Sequence, residues 1–531
     1  MNLYQAIFKN ELARRTAILY EQRQISYAEL RDQTLAVARG LRALGVERGD
    51  RVALLLNDSP EFIAAFVSIC SNGAVAVPIN MGLRLEEQSA ILNNCTASIA
   101  MVEEDVSKAL LEIESELSHL RKVVVVGRDE NKQQERPQTS LISKLTLAEL
   151  LSQSRPQPPA AFPSPDENQP AFILYTSGST GEPKGAVHSQ SDIFYTNETY
   201  CREVLRLRGD DRLFPSSRLP FAYGLGNALT FPLLNGCTSV LCREKPGPDV
   251  VARVLREHRP TIFFGVPVVY RMLLEHHRNV SPLDTSSLRF CVSAGEALPA
   301  QLGEDWQKTF GVEVLDGIGS TEMLHMWMSN HSGDVRYGSS GKLLNGYEAK
   351  LVDHEAAPVP DGTEGNLWIR GGSAASRYWQ RPETSAQTFV DGWVRTGDLY
   401  RCDEQGFWWH MGRSDDCFKP TGQWVSPVEV EGVLVKSDRI RAAAVVEGFD
   451  KDGLSCVCAF IVRAHDTDSE HTVEHSLRAL CETALPRFKQ PRRYIFVPEL
   501  PYTATGKVQR YKLREQLRSP RSKVQRRHSD S

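Results

Sequence analysis

Residues 173–185 read ILYTSGSTGEPKG, an apolar run that passes into glycines, hydroxyl side chains and a lysine. The run 172–175 predicts a buried strand, because an uninterrupted apolar stretch is typical of strands covered on both faces. Glycine allows backbone N–H groups to turn towards one point, the hydroxyls add hydrogen-bond donors, and Lys184 adds a positive charge. This combination favours a cradle for a polyphosphate over a flexible surface turn.

The common nucleotide-binding motifs do not account for this stretch. A Walker loop requires Gly-Lys followed by Ser or Thr, whereas Lys184 lies between Pro183 and Gly185. Gly224–Gly226 and Gly317–Gly319 each lack the third glycine of a dinucleotide-binding fingerprint. The phosphate loop therefore belongs to another class of nucleotide site.

Bulk composition describes an ordinary globular protein of several domains. The chain has 531 residues, of which 41% are hydrophobic and 24% charged, with a net charge of −4. This charge gives no reason to expect a nucleic-acid or membrane partner. Eleven cysteines without a CxxC pair indicate free thiols in a reducing compartment. The N-terminus lacks the features of a signal peptide, and the last three residues are not a peroxisomal address, so we expect a cytoplasmic protein.

Helices and apolar strands alternate through the first third of the chain. Leu30, Val37, Leu41 and Leu44 recur at helical spacing, and 60–70 predicts a second helix. Apolar runs predict strands at 51–55, 74–78 and 123–126, so the fold class is α/β with doubly wound sheets. Residues 128–169 predict an irregular connection that holds one short helix at 147–151, with Thr146 as its N-cap.

Further strands end in glycine and polar residues. The stretch 261–267 predicts a strand that ends at Gly265 and Pro267, and the strand at 288–292 ends in Ser293–Glu296. A third strand ends in the stretch Leu315–Glu322. In open α/β sheets, ligands bind beyond the carboxyl ends of strands. Together with the phosphate loop, these ends predict one ligand-binding crevice.

The sequence pattern changes after Arg336, where short strands separated by turns replace the alternation of helices and strands. Short strands at 347–352, 367–370 and 393–395 predict a small β subdomain, with Thr396-Gly397-Asp398 at the end of one strand. A strand at 407–411 precedes a domain boundary near Asp415. The final segment predicts an α+β unit, with helices at 427–435 and 473–484 and strands at 442–446 and 457–462. The basic tail after Leu517 is expected to be disordered.

Six stretches resemble the motifs of the adenylate-forming enzymes, in that family's order. They are 176–185, 293–299, 316–322, 395–398, 412–416 and 501–507. FAYGLGNALTFPL (221–233) and GSTEMLHMWMSN (319–330) are most similar to the benzoate-CoA ligase branch. The resemblance implies a large N-terminal AMP-binding domain (1–413), a small mobile C-terminal domain (414–517) and a basic tail (518–531).

The resemblance also implies roles for individual residues. Thr321 contacts the α-phosphate, Glu322 holds Mg²⁺, and Lys507 reaches the reacting carboxylate and the α-phosphate. Asp398 and Arg413 bind the ribose. The remaining ATP contacts are Thr176, Ser177, Gly178, Ser179, Thr180, Gly181, Lys184, Gly295, Glu296, Ala297, Asp316, Gly317, Ile318, Gly319 and Ser320. Asp415 is the hinge between the half-reactions, and Lys419 and Gly422 lie in the segment for thioester formation with coenzyme A.

The expected acid pocket differs from that of amino-acid-activating relatives. These relatives place an Asp after the phenylalanine that corresponds to Phe221, whereas this chain has Ala222. An ammonium group would lack a counter-ion there. The predicted pocket is a flat apolar slot for an aromatic ring, formed by Ala222, Tyr223, Gly224, Val266, Gly295, Gly317, Ile318 and His325. His325 follows Glu322 by three positions and is expected on the same helix face, either as a core histidine or as a contact to a ring substituent.

The implied activity is formation of an aryl-CoA from ATP, coenzyme A and a benzoate, such as a hydroxy- or 2-aminobenzoate. Mg²⁺ is the expected metal, and a monomer or homodimer the expected state. A carrier-protein pantetheine is an alternative acceptor. A luciferase-like oxygenase and a catalytically inactive ligand sensor are more remote alternatives. Ile318 stands where many relatives have an aromatic residue, so adenine is expected to meet an aliphatic face.

Overall fold

The structure is a computed structural model. It describes residues 2–127, 141–152, 162–164, 166, 169–177, 183–414, 416–418, 420, 425–450, 453–464, 469–502 and 508–518. Several predicted residues lie outside these ranges, namely Gly178, Ser179, Thr180, Gly181, Asp415, Lys419, Gly422 and Lys507. The basic tail after residue 518 also lies outside them.

The strands in chain order are β1 (Thr16–Tyr20), β2 (Arg23–Ser26), β3 (Arg51–Leu55), β4 (Val75–Pro78), β5 (Ile99–Glu103), β6 (Lys122–Val126), β7 (Ser143–Thr146), β8 (Phe172–Ser177), β9 (Pro183–His188), β10 (Arg212–Pro215), β11 (Thr238–Leu241), β12 (Ile262–Gly265), β13 (Phe290–Ser293), β14 (Val314–Gly319), β15 (Met326–Ser329), β16 (Lys342–Leu343), β17 (Glu348–Val352), β18 (Gly365–Arg370), β19 (Arg377–Tyr378), β20 (Phe389–Val390), β21 (Trp393–Cys402), β22 (Trp408–Arg413), β23 (Ile440–Phe449), β24 (Ser455–Arg463) and β25 (Arg493–Phe496).

The helices in chain order are α1 (Leu3–Ile7), α2 (Tyr27–Ala43), α3 (Pro60–Ser71), α4 (Leu85–Cys95), α5 (Glu104–Glu112), α6 (Leu147–Ser152), α7 (Gln190–Thr196), α8 (Ala222–Leu225), α9 (Phe231–Leu234), α10 (Pro248–His258), α11 (Pro267–Asn279), α12 (Ala300–Phe310), α13 (Pro382–Thr388), α14 (Pro427–Leu434), α15 (Glu470–Ala484) and α16 (Arg510–Arg518). Helix α7 continues as a π-helix over Asn197–Leu205, and a π-helical segment, Gly226–Thr230, joins α8 to α9. Short 3₁₀ turns occupy Asn10–Leu12, Glu114–Glu116, Thr321–Met323 and Arg487–Lys489.

Residue contacts divide the chain into two units, one of 1–349 with 369–395 and the other of 350–368 with 396–531. The first unit contains two large sheets. One is eight-stranded, in the order β19-β9-β8-β4-β3-β5-β6-β7, and the other is nine-stranded, in the order β16-β15-β14-β13-β12-β10-β11-β1-β2. Strands β3 to β6 pair in parallel, as do β10 to β14. The predicted α/β class with doubly wound sheets is confirmed.

Both faces of the central strands β3 to β6 of the eight-stranded sheet are buried, which explains their uninterrupted apolar residues. In β3, Val52 and Leu54 join one apolar cluster with helices α2 and α3. Ala53 and Leu55 join another on the opposite face. Helix α2 begins with a capping box between Ser26 and Glu29 and buries Leu30, Val37 and Leu41, as its spacing predicts.

The connection before the phosphate loop contains a strand that the sequence analysis misses. Residues 143–146 form β7, which pairs in parallel with β6. The predicted short helix is confirmed as α6. It begins with reciprocal bonds between Thr146 and Glu149, since Glu149 N donates to Thr146 Oγ1 at 3.2 Å and Thr146 N donates to the Glu149 carboxylate.

The remaining strands form two smaller sheets, ordered β17-β18-β21-β20 with β22 on β21, and β23-β24-β25. The first is the predicted β subdomain, and the second, with α14–α16, is the predicted α+β segment. Strand β21 continues through Thr396–Asp398 to Cys402, so the prediction of a strand end at Asp398 is wrong. Pairing with β22 keeps this polar stretch extended. The predicted domain limits near 413 and 517 stay predictions.

All eleven cysteines are free thiols, as predicted. Cys456 and Cys458 share one face of β24, with their Sγ atoms 3.8 Å apart. Residues two apart on a strand point to the same side of the sheet, which explains this arrangement.

Candidate active site

The phosphate-loop motif lies at the end of a β-hairpin. Strands β8 and β9 pair in antiparallel register, with Tyr175 opposite Gly185 and Thr176 opposite Lys184. Thr176, Ser177 and Lys184 therefore belong to strands that flank residues 178–182, whereas the sequence analysis places them in the loop. A Cβ on Gly185 would lie 2.9 Å from the Tyr175 ring, so only glycine fits this register.

The ends of β12, β13 and β14 lie side by side, as the strand-end argument requires. Gly265 pairs with Ser293, and Ser293 pairs with Asp316. Gly295 has a φ of +90°, and a Cβ there would lie 3.6 Å from Val266 Cγ1. The structure thus brings these two predicted pocket residues together. Glu296 and Ala297 follow in the same loop before α12.

Asp316 is a buried carboxyl on β14, with only 2% of its surface exposed. Leu298 N donates to Asp316 Oδ2 at 3.2 Å, but burial outweighs this bond and raises the pKa of Asp316 to about 8. The carboxyl is therefore mostly protonated at neutral pH. Its backbone carbonyl accepts from Asn330 N at 2.9 Å and from Asn330 Nδ2 at 3.0 Å.

Thr321 and Glu322 lie in a 3₁₀ turn directly after β14. The turn stops at Leu324, whose φ is +64°, and β15 begins at Met326. His325 therefore shares no helix face with Glu322, and that prediction is wrong. Gly319 allows the chain to fold back here, because a Cβ would lie 2.5 Å from the His325 carbonyl oxygen.

The carboxylate of Glu322 is fixed from a distant segment. The Tyr378 hydroxyl on β19 donates to Glu322 Oε1 at 2.6 Å. Lys184 Nζ lies 5.8 Å from the centroid of the same tyrosine ring. Tyr378 thus links the strand that leaves the phosphate loop to the turn after β14, and the sequence analysis misses it.

The predicted acid-pocket helix begins at Ala222 and Tyr223. The Tyr223 hydroxyl donates to the carbonyl oxygen of Val292 at 3.1 Å, so its polar end is used within the fold. A Cβ on Gly224 would lie 2.0 Å from the Arg218 carbonyl oxygen, which requires glycine at this position. The helix start therefore presents an alanine and a tyrosine ring without a charge.

His325 is 3% exposed and lies among three aromatic rings. Its ring centroid is 4.9 Å from that of Tyr200, 5.7 Å from Tyr223 and 4.7 Å from Phe231. Burial lowers the pKa of His325 to about 3, so the imidazole is neutral at neutral pH. Neither ring nitrogen has a hydrogen-bond partner within the described part of the chain.

The predicted ribose-binding residues Asp398 and Arg413 lie opposite each other on β21 and β22. Arg413 Nη1 lies 3.4 Å from Asp398 Oδ1, and His410 Nε2 lies 3.4 Å from the same oxygen. Gly397 has a φ of +74° and leaves room for the Arg413 guanidinium, 2.6 Å from where a Cβ would lie. His410 is a third side chain at the Asp398 carboxylate, and no sequence motif points to it.

Comparison with known proteins places this geometry in a family. Residues 7–379 match the family model described as AMP-binding enzyme, and residues 429–507 match that of the AMP-binding enzyme C-terminal domain. The chain belongs to the AMP-binding enzyme family.

Relatives of this AMP-binding enzyme match along nearly their whole length. A benzoate–CoA ligase from Thauera aromatica is 39% identical, covering 96% of this chain and 94% of the relative. A 4-hydroxybenzoate–CoA/benzoate–CoA ligase from Rhodopseudomonas palustris is 37% identical, covering 94% and 90%. The crystal structure of the anthranilate CoA ligase AuaEII with anthranoyl-AMP has a TM-score of 0.88 and 36% identity, with 97% of each chain covered.

Two general properties of the AMP-binding enzyme complete the description. Across the described ranges, the helices are too short or too polar to cross a bilayer. Within the same ranges, His, Cys, Asp and Glu side chains form no group of three or more that could hold a metal ion.

Proposed function

We propose that this AMP-binding enzyme converts an aromatic carboxylic acid, a benzoate or substituted benzoate, into its coenzyme A thioester. In the first half-reaction a carboxylate oxygen attacks the α-phosphorus of ATP. The bond from that phosphorus to the bridging oxygen breaks, and pyrophosphate leaves. In the second, the thiol of coenzyme A loses its proton and attacks the carbonyl carbon, and AMP leaves.

The absence of charge around the acid pocket is the observation that carries this proposal. Ala222 stands where an amino-acid-activating enzyme has an aspartate, and His325 is neutral. The nearby strand β14 carries Asp316, and burial raises the pKa of its carboxyl to about 8, so it is mostly protonated at neutral pH. These described side chains give a substrate ammonium no counter-ion, whereas aromatic rings suit an aryl group.

The proposed ATP contacts extend from the phosphate-loop hairpin to the turn after β14. Lys184 and the hydroxyls around it bind the β- and γ-phosphates, and Thr321 contacts the α-phosphate. Positioned cations and donors of this kind supply most of the catalysis in phosphoryl chemistry, because charge spreads over the phosphate oxygens. Asp398 accepts from the ribose hydroxyls, and Arg413 donates to the same sugar.

Glu322 fits the proposed Mg²⁺ site. Tyr378 occupies Oε1, and Oε2 makes no hydrogen bond to another described residue. Mg²⁺ prefers hard oxygen ligands and is usually held by one or two carboxylates together with phosphates and waters. When bound, the ion would neutralise phosphate charge, while Tyr378 keeps the carboxylate oriented.

The remaining assignments are proposals for residues outside the described ranges. Lys507 bridges the reacting carboxylate and the α-phosphate as a point charge on a flexible stem. Asp415 is the hinge between the half-reactions, and Lys419 and Gly422 serve thioester formation. We infer a cytoplasmic enzyme, since eleven free thiols suit a reducing compartment.

A pyrophosphate-release screen with mass detection of products tests the proposed function. The acids are benzoate, hydroxybenzoates, 2-aminobenzoate, cinnamate, heteroaryl acids and medium-chain acids, each with ATP, Mg²⁺ and coenzyme A. We expect benzoates to release pyrophosphate fastest and to yield the coenzyme A thioester. Thioester only on a carrier-protein pantetheine would identify the alternative acceptor. No acid-dependent pyrophosphate release would contradict the proposed function.

A further inference from the structure

His188, the last residue of β9, is buried and bonded at both ring nitrogens. Nδ1 lies 2.7 Å from Asp192 Oδ2 on α7, and Nε2 lies 2.8 Å from the carbonyl oxygen of Thr321. The ring stacks on Phe172, with centroids 5.2 Å apart and planes 17° from parallel. Phe172 begins β8, so the imidazole is held in place by both strands of the phosphate-loop hairpin.

The partners of His188 determine where the protons lie. A carbonyl oxygen can only accept, so Nε2 carries a proton and donates to Thr321. Asp192 also accepts from Ser189 N at 3.2 Å and from Ser189 Oγ at 2.5 Å. These bonds hold its carboxyl group beside Nδ1, so the ring is fixed on one side by Asp192 and on the other by the Thr321 carbonyl.

The turn that contains Thr321 and Glu322 is held at three consecutive carbonyl groups. His188 Nε2 donates to the carbonyl of Thr321, and Ala375 N donates to that of Glu322 at 2.7 Å. Ser373 Oγ donates to the carbonyl of Met323 at 2.8 Å. Of these three donors, only His188 comes from the strand that leaves the phosphate loop.

We propose that His188 is a positioning residue for acid activation, which holds the Thr321–Glu322 turn in register with the phosphate-loop hairpin. The proposal rests on the proposed function, because Thr321 and Glu322 matter here as the α-phosphate and Mg²⁺ contacts. A hydrogen bond of 2.8 Å from a buried, stacked ring to the Thr321 carbonyl fixes the position of the turn relative to β9. Through this bond, the hairpin that binds the β- and γ-phosphates also positions Thr321 and Glu322 at the α-phosphate.

Two substitutions separate positioning from packing. In His188→Gln the side-chain amide reaches the place of Nε2, so a donor to the Thr321 carbonyl remains. In His188→Asn the amide reaches only the place of Nδ1, so the bond to Asp192 remains and the turn loses its donor. We expect kcat for aryl-AMP formation to fall about 100-fold in His188→Asn and less than about 10-fold in His188→Gln. The KM for ATP should change by less than about threefold in both, because the phosphate loop is intact.

Single-turnover formation of labelled aryl-AMP gives kcat, and thermal unfolding of each variant shows whether its fold is retained. His276→Gln is the matched control. His276 is also a buried histidine and lies in the last turn of α11. Its Nδ1 is 3.4 Å from Oδ1 of Asp249 on α10. The kcat of this variant should stay within about twofold of the unsubstituted enzyme.

Nitrogen-15 spectra of the histidine-labelled enzyme provide a readout independent of activity and of variant folding. We expect Nε2 of His188 to carry a proton, because its partner, the Thr321 carbonyl, can only accept. A neutral ring without a proton on Nε2 would overturn the proposal, as would equal kcat in the Asn and Gln variants. An unsubstituted enzyme that forms no aryl-AMP from any acid would instead overturn the proposed function on which it rests.

Discussion

His325 can make one hydrogen bond as donor and one as acceptor without first breaking another, because neither nitrogen has a partner among the described residues. We predict that His325→Ala changes the ranking of benzoate, hydroxybenzoates and 2-aminobenzoate. Truncation removes both a ring-sized wall and a polar partner, so the ratios of kcat/KM should shift by about tenfold or more. Steady-state kcat/KM for each acid, at saturating ATP and coenzyme A, measures the ratios.

The control for His325 is His276→Ala, which removes a buried imidazole at a distance from the pocket helix and should leave the ranking unchanged. If His325→Ala lowers kcat/KM for all three acids by the same factor, His325 is a core histidine that supports Tyr223 and Phe231 by packing. Gly226→Ala should then act like it, because the added Cβ would lie 2.5 Å from the His325 ring.

At the residue scale, the sequence predicts the groups that lie in motifs but not their supports. Glu322 follows a strand-end Gly-Ser-Thr and can be recognised locally. Tyr378 and His188 cannot, because a single tyrosine or histidine has no local signature and its contact depends on how distant strands meet. Thr321 follows His188 by 133 positions along the chain, yet a hydrogen bond joins them.

Strand β14 carries a buried carboxyl, Asp316, that makes the stability of the folded chain depend on pH. Since the pKa of Asp316 is raised to about 8, the folded chain keeps a proton that the unfolded chain loses near its ordinary pKa. Its contribution to stability is complete below about pH 4 and is lost as the pH rises towards about 8. We predict that the unfolding free energy of the unsubstituted enzyme falls relative to that of Asp316→Asn over this range, by at most about 1.4 kcal/mol per pH unit.

Urea unfolding at a series of pH values, with the denaturant dependence held common, measures the Asp316 difference. The control is Asp438→Asn, because Asp438 is exposed and makes no side-chain ion pair or hydrogen bond to another described residue. It should follow the unsubstituted enzyme at every pH. Parallel curves for Asp316→Asn and the unsubstituted enzyme would mean that Asp316 ionises normally in the folded state.

At the element scale, the hydrophobic pattern predicts the buried apolar strands but not the polar stretches that pair as strands. The apolar strands β3, β4 and β6 are evident because both of their faces are covered. Strand β7 (SKLT) and the polar half of the β8–β9 hairpin are not, since they contain residues that a loop also prefers. Thr396–Asp398 was predicted as a strand end for the same reason, whereas backbone pairing with β22 continues the strand.

At the scale of the whole molecule, the two half-reactions need different groups at the same carboxyl carbon. Adenylate formation needs a cation between the carboxylate and the α-phosphate, because two anions approach each other. Thioester formation needs access for a thiol instead, since the adenylate is already activated. One chain can meet both needs if a unit that supplies Lys507 in the first step is exchanged for the segment of Lys419 and Gly422 in the second, with Asp415 as hinge.

This proposed division of labour predicts that Lys507→Ala lowers aryl-AMP formation by about 100-fold or more while thioester formation from supplied aryl-AMP stays within about threefold. Pyrophosphate release measures the first step, and coenzyme A consumption with synthetic aryl-AMP measures the second. Lys512→Ala on α16 is the matched control, because Lys512 is an exposed lysine of the same C-terminal segment and should leave both rates unchanged. Equal loss of both steps in Lys507→Ala would show that this lysine maintains the fold of its unit or binds a part of the substrate common to both steps. The exchange of groups would then have to rest on Asp415 alone, and a substitution that restricts the backbone there should slow the second step more than the first.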